Sequence, residues 1–115
     1  MKEHSIESCA KANLAIRDTL DIVGGKWKLI LISVLRSDKK GFNELSIEAG
    51  ISPRILSKEL QKLEMNGLVS RKVCDTKLIT VQYELTEYSL SLNNVLVAME
   101  KWGYQHRKRI VQGIE

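Results

Sequence analysis

FNELSIEAGISPRILSKELQKLEMNGL, residues 42–68, carries enough capping chemistry to place two helices and the turn between them. Asn43 suits an N-cap, because a short side-chain oxygen can accept a free amide of the first turn. Phe42 before it and Ile47 after it are spaced as a hydrophobic staple. Gly50 ends this short helix where a positive φ is required. Ser52 is then a second N-cap and Pro53 takes the first helical position. Ile51 and Leu56 form a second staple. Gly67 stops the second helix, with Leu63 and Leu68 placed for the apolar contact of a Schellman ending. Helix, short glycine turn, helix over residues 43–66 is the helix-turn-helix pattern.

The second helix has two faces. Leu56, Leu60 and Leu63 follow i, i+4, i+7 and bury one side. At 100° per residue, Arg54, Ser57, Lys58 and Gln61 gather on the other, with Lys62 beside them. Such side chains reach phosphates and base edges, arginine towards guanine and glutamine towards adenine. A merely solvated helix face has the same composition, so the face alone does not decide between the two.

The surrounding 115 residues form one domain, large enough for a single core without staples. Hydrophobic residues make up 43% and charged residues 28%, the balance of an ordinary water-soluble domain. No apolar run reaches bilayer length, and MKEHSIESCAK at the start lacks the apolar stretch of a signal peptide. A cytoplasmic location without membrane contact is the expectation. A net charge of +4 and a pI near 9.1 favour an anionic partner mildly. Cys9 and Cys74 are far apart with no C-x-x-C, which indicates neither a disulfide framework nor a zinc site.

Upstream, residues 1–12 are polar and read as frayed, or as a short helix packed on a partner. Ile16, Leu20 and Val23 give one helical face, closed by Gly24-Gly25. KWKLILISVLR, residues 26–36, is apolar nearly all round and is expected to be the central core helix. Residues 37–41, SDKKG, read as a turn. Downstream, Val69, Arg71, Val73 and then Val81, Tyr83, Leu85 alternate with polar residues as strands do. Residues 75–77 are the expected reversal. A hairpin over 68–85 directly after the second helix turns the motif into a winged helix, a mainly α fold with a small β-hairpin wing. Arg71, Lys72 and Lys77 would give the wing a basic rim for phosphate.

Thr86-Glu87 caps a final helix expected over 87–110. Tyr88, Leu92, Val95, Met99 and Trp102 recur at close to 3.5 residues, with Leu96 beside them. A domain this small cannot cover a helix of that length along its own core, so the row reads as a homodimer seam. His106, Arg107, Lys108 and Arg109 suit the negative end of the helix dipole.

As a whole, the chain resembles the HxlR-type winged-helix regulators, relatives of the MarR group, from about Leu14 to Tyr104. LDIVGGKWKLIL carries the GGKW segment, FNEL opens the second helix, and GISPRILSKELQKLEMNGLVSRKV is similar to the recognition helix and first strand. YELTEYSLSL is similar to the second strand and helix start. The resemblance implies a bacterial, homodimeric transcription regulator on double-stranded DNA with an inverted-repeat operator. With the helix face and wing read above, DNA contact is expected through Ser52, Pro53, Arg54, Ser57, Lys58, Gln61, Lys62, Arg71 and Lys77. The dimer would form from both terminal helices, through Leu14, Leu92, Val95, Leu96, Met99 and Trp102. Two positions depart from the family pattern. Many members have a cysteine followed by proline before the first helix, where this chain has Leu14-Ala15, with Cys9 five residues upstream. Many carry a proline pair and an arginine at the wing tip, where this chain has Leu78-Ile79-Thr80.

An enzyme is disfavoured by the lack of a glycine-rich phosphate loop, of G-x-S-x-G and of His/Cys/Asp sets at ligand spacing. No cofactor, metal or effector class is assigned. A winged helix used only for protein contacts would present an apolar face at 54, 57, 58 and 61, and this face is polar and basic. A thiol-based redox regulator is the third class. Cys74 in a strand reads as a small hydrophobe, which leaves Cys9 as the candidate for reactivity.

Overall fold

The computed structural model describes residues 5–75 and 79–113. The core forms around α2 (Lys28–Leu35), whose Leu31, Ile32 and Leu35 are buried. Gly25 at φ 91° makes the corner before it, so the helix starts two residues later than the sequence suggests. Lys26 stays outside it and lies over the Trp27 ring at 4.8 Å. Against α2 pack α3 (Phe42–Ala49) through Leu45 and α4 (Pro53–Met65) through Leu56, Leu60 and Leu63.

The punctuation of the central stretch is as expected at three of its four points. Gly50 has φ 66°, and the Ile51 amide donates to the Ser46 carbonyl at 3.1 Å. Ser52 Oγ accepts from the Ile55 amide at 3.4 Å, and Ile51 and Leu56 are both buried as a staple requires. Gly67 has φ 73°, with the Leu68 amide donating to the Leu63 carbonyl at 2.9 Å, the 6→1 bond of a Schellman ending. The start of α3 differs. Its N-cap is Gly41, not Asn43, because the Glu44 carboxylate reaches back to the Gly41 amide at 3.1 Å. Ile47 points into solvent, so no staple forms with Phe42.

The expected hairpin is β2 (Val69–Asp75) antiparallel to β3 (Ile79–Leu85). Its register pairs Val69 with Leu85, Arg71 with Tyr83 and Val73 with Val81, so the six alternating residues share one face. Val69 and Tyr83 are the buried part of that face, while Arg71 and Val73 run out from the core. A third strand, β1 (Lys40–Gly41), pairs with β3 where the sequence reads as a turn. Two residues carry no period-2 signal; the free edge of β3 recruits them.

Both terminal helices depart from expectation. α1 runs Ile6–Val23, ten residues longer at its start than the apolar face that reveals it. Ser5 Oγ accepts from the Ser8 amide at 3.0 Å, and this cap with the alanines behind it supports the added turns. Only Val23 of α1 is buried. The last helix does not start at residue 87. Tyr88–Leu92 is a 3₁₀ turn, and α5 is Asn93–Val111. Ser89 and Ser91 hydroxyls each donate to a carbonyl three residues back at 2.6 Å, which favours the tighter winding. Thr86 Oγ1 accepts from the Ser89 amide at 3.3 Å, so its side chain serves the 3₁₀ turn, while α5 starts after Leu92 without a side-chain cap.

α1 and α5 stand out from the body. The radius of gyration is 17.4 Å, against about 13 Å for a compact chain of this length. The accessible surface is 9050 Å², against roughly 6,400 Å² for a globular protein of 13.1 kDa.

Candidate nucleic-acid interface

α4 is fixed from behind by Leu56, Leu60 and Leu63, which are buried on one side of the helix. That leaves Arg54, Ser57, Lys58 and Gln61 on its outer face, all exposed. Among the described residues, Arg54 and Lys58 make no ion pair, so both cations are available to an incoming anion. Lys62 is exposed at the border of this face and sits 3.8 Å from Glu59 on the same helix.

The N-terminus of α4 offers less to an anion than a bare helix start. Pro53 has no N–H, the Ile55 amide donates to Ser52 Oγ, and the Leu56 amide donates to the Ser52 carbonyl at 2.9 Å. Among the described residues the Arg54 amide is the first-turn donor left over. Ser52 retains its hydroxyl proton as a second donor.

On the wing, Arg71 is exposed on β2, opposite Tyr83. Lys72 is exposed too, but its ammonium pairs across the strands with the Glu84 carboxylate. The hydrogen bond to Glu84, with the carboxylate's charge second, raises the Lys72 pKa above the ordinary lysine value. Lys72 is thus already paired with a carboxylate, and Arg71 is the cation of β2 without an ion-pair partner among the described residues. Lys77 lies outside the described residues.

A second exposed surface is apolar. Val95, Met99 and Trp102 line a shallow groove on α5 with Asn94 and Ala98, of about 550 Å³. Trp102 is held by stacking on His106, ring centroids 5.0 Å apart. On α1, Leu14, Ile16 and Leu20 are exposed, and so is Cys9. Leu96 does not belong to this surface: it is buried within the protomer's own core, one helical step round from Val95. Leu92 is half-buried and faces a cavity shared with Asp18, Ile22 and Leu68. Cys74 donates to Gln82 Oε1 at 3.6 Å across the hairpin.

The pair Lys28 and Glu59 escaped the sequence reading. Lys28 Nζ lies 3.0 Å from Glu59 Oε1 with both residues buried. A signal existed: Glu59 interrupts the inward face between Leu56 and Leu63, and Lys28 stands among Trp27, Leu29, Ile30 and Leu31. Two lone charges on inward faces imply each other. No helix among the described residues is long and apolar enough to cross a membrane.

The family model described as HxlR-like helix-turn-helix matches residues 22–111. The uncharacterized HTH-type transcriptional regulator YtcD of Bacillus subtilis is 35% identical over 101 residues, spanning 87% of this chain and 80% of its own. YdeP of the same organism, also an uncharacterized HTH-type transcriptional regulator, is 40% identical over 96 residues, 83% of this chain and 75% of its own. Among solved structures, the redox regulator HypR in its reduced form superposes with a TM-score of 0.77 at 36% identity, covering 85% of this chain and 98% of that one. The reduced form of the transcriptional regulator YodB from B. subtilis gives 0.71 at 30% identity, covering 79% and 90%.

Proposed function

The chain belongs to the HxlR-like helix-turn-helix family of DNA-binding transcriptional regulators, and from that premise we propose that it acts as a homodimer on an inverted-repeat operator. The observation that carries the DNA half of this reading is the outer face of α4. Its two cations have no ion-pair partners among the described residues, and its inner face is locked to the core. Arg54, Ser57, Lys58 and Gln61 read base edges, Ser52 and the Arg54 amide hold a phosphate, and Arg71 with Lys77 adds wing contacts. Lys62 serves the backbone at the border of the groove.

The dimer half rests on the surface that the protomer leaves uncovered. The excess of some 2,700 Å² over a globular monomer comes with exposed apolar rows on α1 and α5. A second copy is the cover that satisfies both rows at once, through Leu14 on α1 and Val95, Met99 and Trp102 on α5. Two-fold symmetry then presents two α4 helices to major grooves one turn, ~34 Å, or a multiple of it apart.

Gel shifts on genomic fragments in rising salt test the DNA reading. Binding should weaken with a log–log slope of about 0.9 per phosphate neutralised. A protein that shifts no fragment at low salt is a protein-contact module instead.

A redox reading has one specific support, the exposure of Cys9 on α1 together with neighbours that are redox regulators. Cys9 shares a 3-4-3-4 spaced stripe with Ile6, Asn13, Ile16 and Leu20. Diamide treatment followed by a non-reducing gel checks it: a disulfide-linked dimer absent in Cys9→Ser supports it, and an unchanged monomer band removes it.

A further inference from the structure

Lys28 and Glu59 are the buried ionisable residues of the described protomer, apart from Tyr83 at the margin of the core. Their pair joins three elements at one point. Lys28 Nζ, on the first residue of α2, donates to Glu59 Oε1 at 3.0 Å and towards the Gly24 carbonyl at 3.4 Å. Gly24 ends α1, its amide donating to the Leu20 carbonyl at 2.8 Å, so close that a Cβ there would lie 2.2 Å from that oxygen. The other Glu59 oxygen faces Lys62 Nζ at 3.8 Å, at the edge of the outer face of α4. A polar line therefore runs from the end of the arm helix, through the core, to the back of the recognition helix.

Stability is a poor explanation for such a pair. Desolvating two charges offsets most of their attraction, and apolar side chains of similar volume fill such sites at no loss. Direction is what apolar side chains do not supply. Leu56, Leu60 and Leu63 hold α4 against the core but resist its rotation only through shape. A carboxylate tied to an ammonium that is itself anchored on the end of α1 resists rotation directly.

We propose that Lys28 and Glu59 are positioning residues that fix the rotation of α4 relative to α1, and thereby the half-site spacing that the dimer accepts. Neither residue reaches DNA; both act through where α4 as a whole stands relative to α1. The inference rests on the DNA-binding reading above.

The test is selection by the full chain from a pool of random-sequence duplexes, with the bound fraction sequenced and thermal unfolding measured in parallel. The decisive variant replaces both partners, Lys28→Met with Glu59→Leu, because either alone strands a buried charge. It is expected to unfold at or above the wild-type temperature and to select the same half-site sequence. Its spacing preference should broaden, with discrimination against a spacer one base pair longer falling at least about tenfold. Glu59→Gln keeps an oxygen for Lys28 Nζ but leaves the ammonium without its counter-charge, so it should unfold below wild type while retaining the wild-type spacing. A double variant that selects one spacing as sharply as wild type overturns the proposal. So does one that unfolds well below wild type, since the pair is then structural. A wild type that selects no duplex removes the DNA-binding reading and this inference with it, whereas the first two outcomes remove the inference alone.

Discussion

Replacing Trp102 with glutamate should convert the proposed dimer into monomers over a wide concentration range. Trp102 is 66% exposed in the protomer. Of the ~250 Å² that a large aromatic can bury, about 160 Å² is thus available to a partner. At ~25 cal/mol per Å² this is about 4 kcal/mol per ring, and a two-fold seam counts it twice. Partial cover of the ring and the cost of ordering the interface reduce the total, so we take about half, ~4 kcal/mol, as the loss. That is about three decades in the dimer dissociation constant. The stack on His106 holds the ring in place already, so little ordering entropy offsets its burial.

Sedimentation velocity from about 0.1 to 100 μM reads this directly, because a dimer with nanomolar affinity stays intact across that range and the variant does not. Val97→Glu is the directional control. Val97 is half exposed on the same helix but lies about 140° round from Trp102. A Trp102→Glu chain whose dimer dissociates within about tenfold of wild type would refute the seam, whatever happens at Val97. Equal loss in both variants would mean that the partner wraps α5 rather than lying along one face.

Four further outcomes are expected. Arg54→Ala should relax sequence preference at one base pair by about 1–3 kcal/mol, whereas Lys77→Ala should weaken operator and scrambled duplex alike and lower the salt slope by about one; equal loss on both duplexes for Arg54→Ala would make it a phosphate clamp. Glu84→Gln should release Lys72 to phosphate and raise the salt slope by about one per protomer, checked by the same titration. The sign of the Lys72 shift means that its pairing stabilises below the ordinary lysine pKa and fades as pH rises through the raised one; urea midpoints of wild type and Glu84→Gln should therefore run parallel between about pH 6 and 9. Leu56→Ala, at a fully buried site, should cost about 3–5 kcal/mol in chemical denaturation, and a loss under about 1 kcal/mol would show that α4 is not packed as described.

What could be read from the sequence was chemistry that acts over three or four residues. Gly50, the Ser52-Pro53 pair and Gly67 impose their turns through φ and through a side-chain oxygen, and neither depends on the rest of the fold. The outer face of α4 was legible for the same reason, since helical periodicity alone sorts Arg54 and Lys58 from Leu56 and Leu60. The N-cap of α3 failed within that local range because two local solutions competed. Asn43 could cap by itself, but Glu44 reaching back to the Gly41 amide starts the helix two residues earlier and brings Phe42 into it.

The features that escaped are ones in which a residue's role is set by something distant. Lys40–Gly41 becomes a strand because β3 presents an edge there, a fact about residues 82 and 83. The first ten residues of α1 have no face on the protomer's core, so a search for core periodicity passes over them. Leu96 sits at a spacing close enough to the Val95–Met99–Trp102 row to be counted with it, yet one residue is 100° of rotation and turns it into the core. Lys28 and Glu59 are 31 residues apart, and each is only an odd charge on an inward face until the fold brings the other to it. The same division separates what this protein shares from what is its own. Local punctuation builds a helix-turn-helix that many chains could carry, while the rotation of α4 against α1 depends on a contact no local rule specifies. Substitutions along the outer face of α4 should therefore change which bases are read. Substitutions at Lys28 and Glu59 should change how far apart the two readings are made.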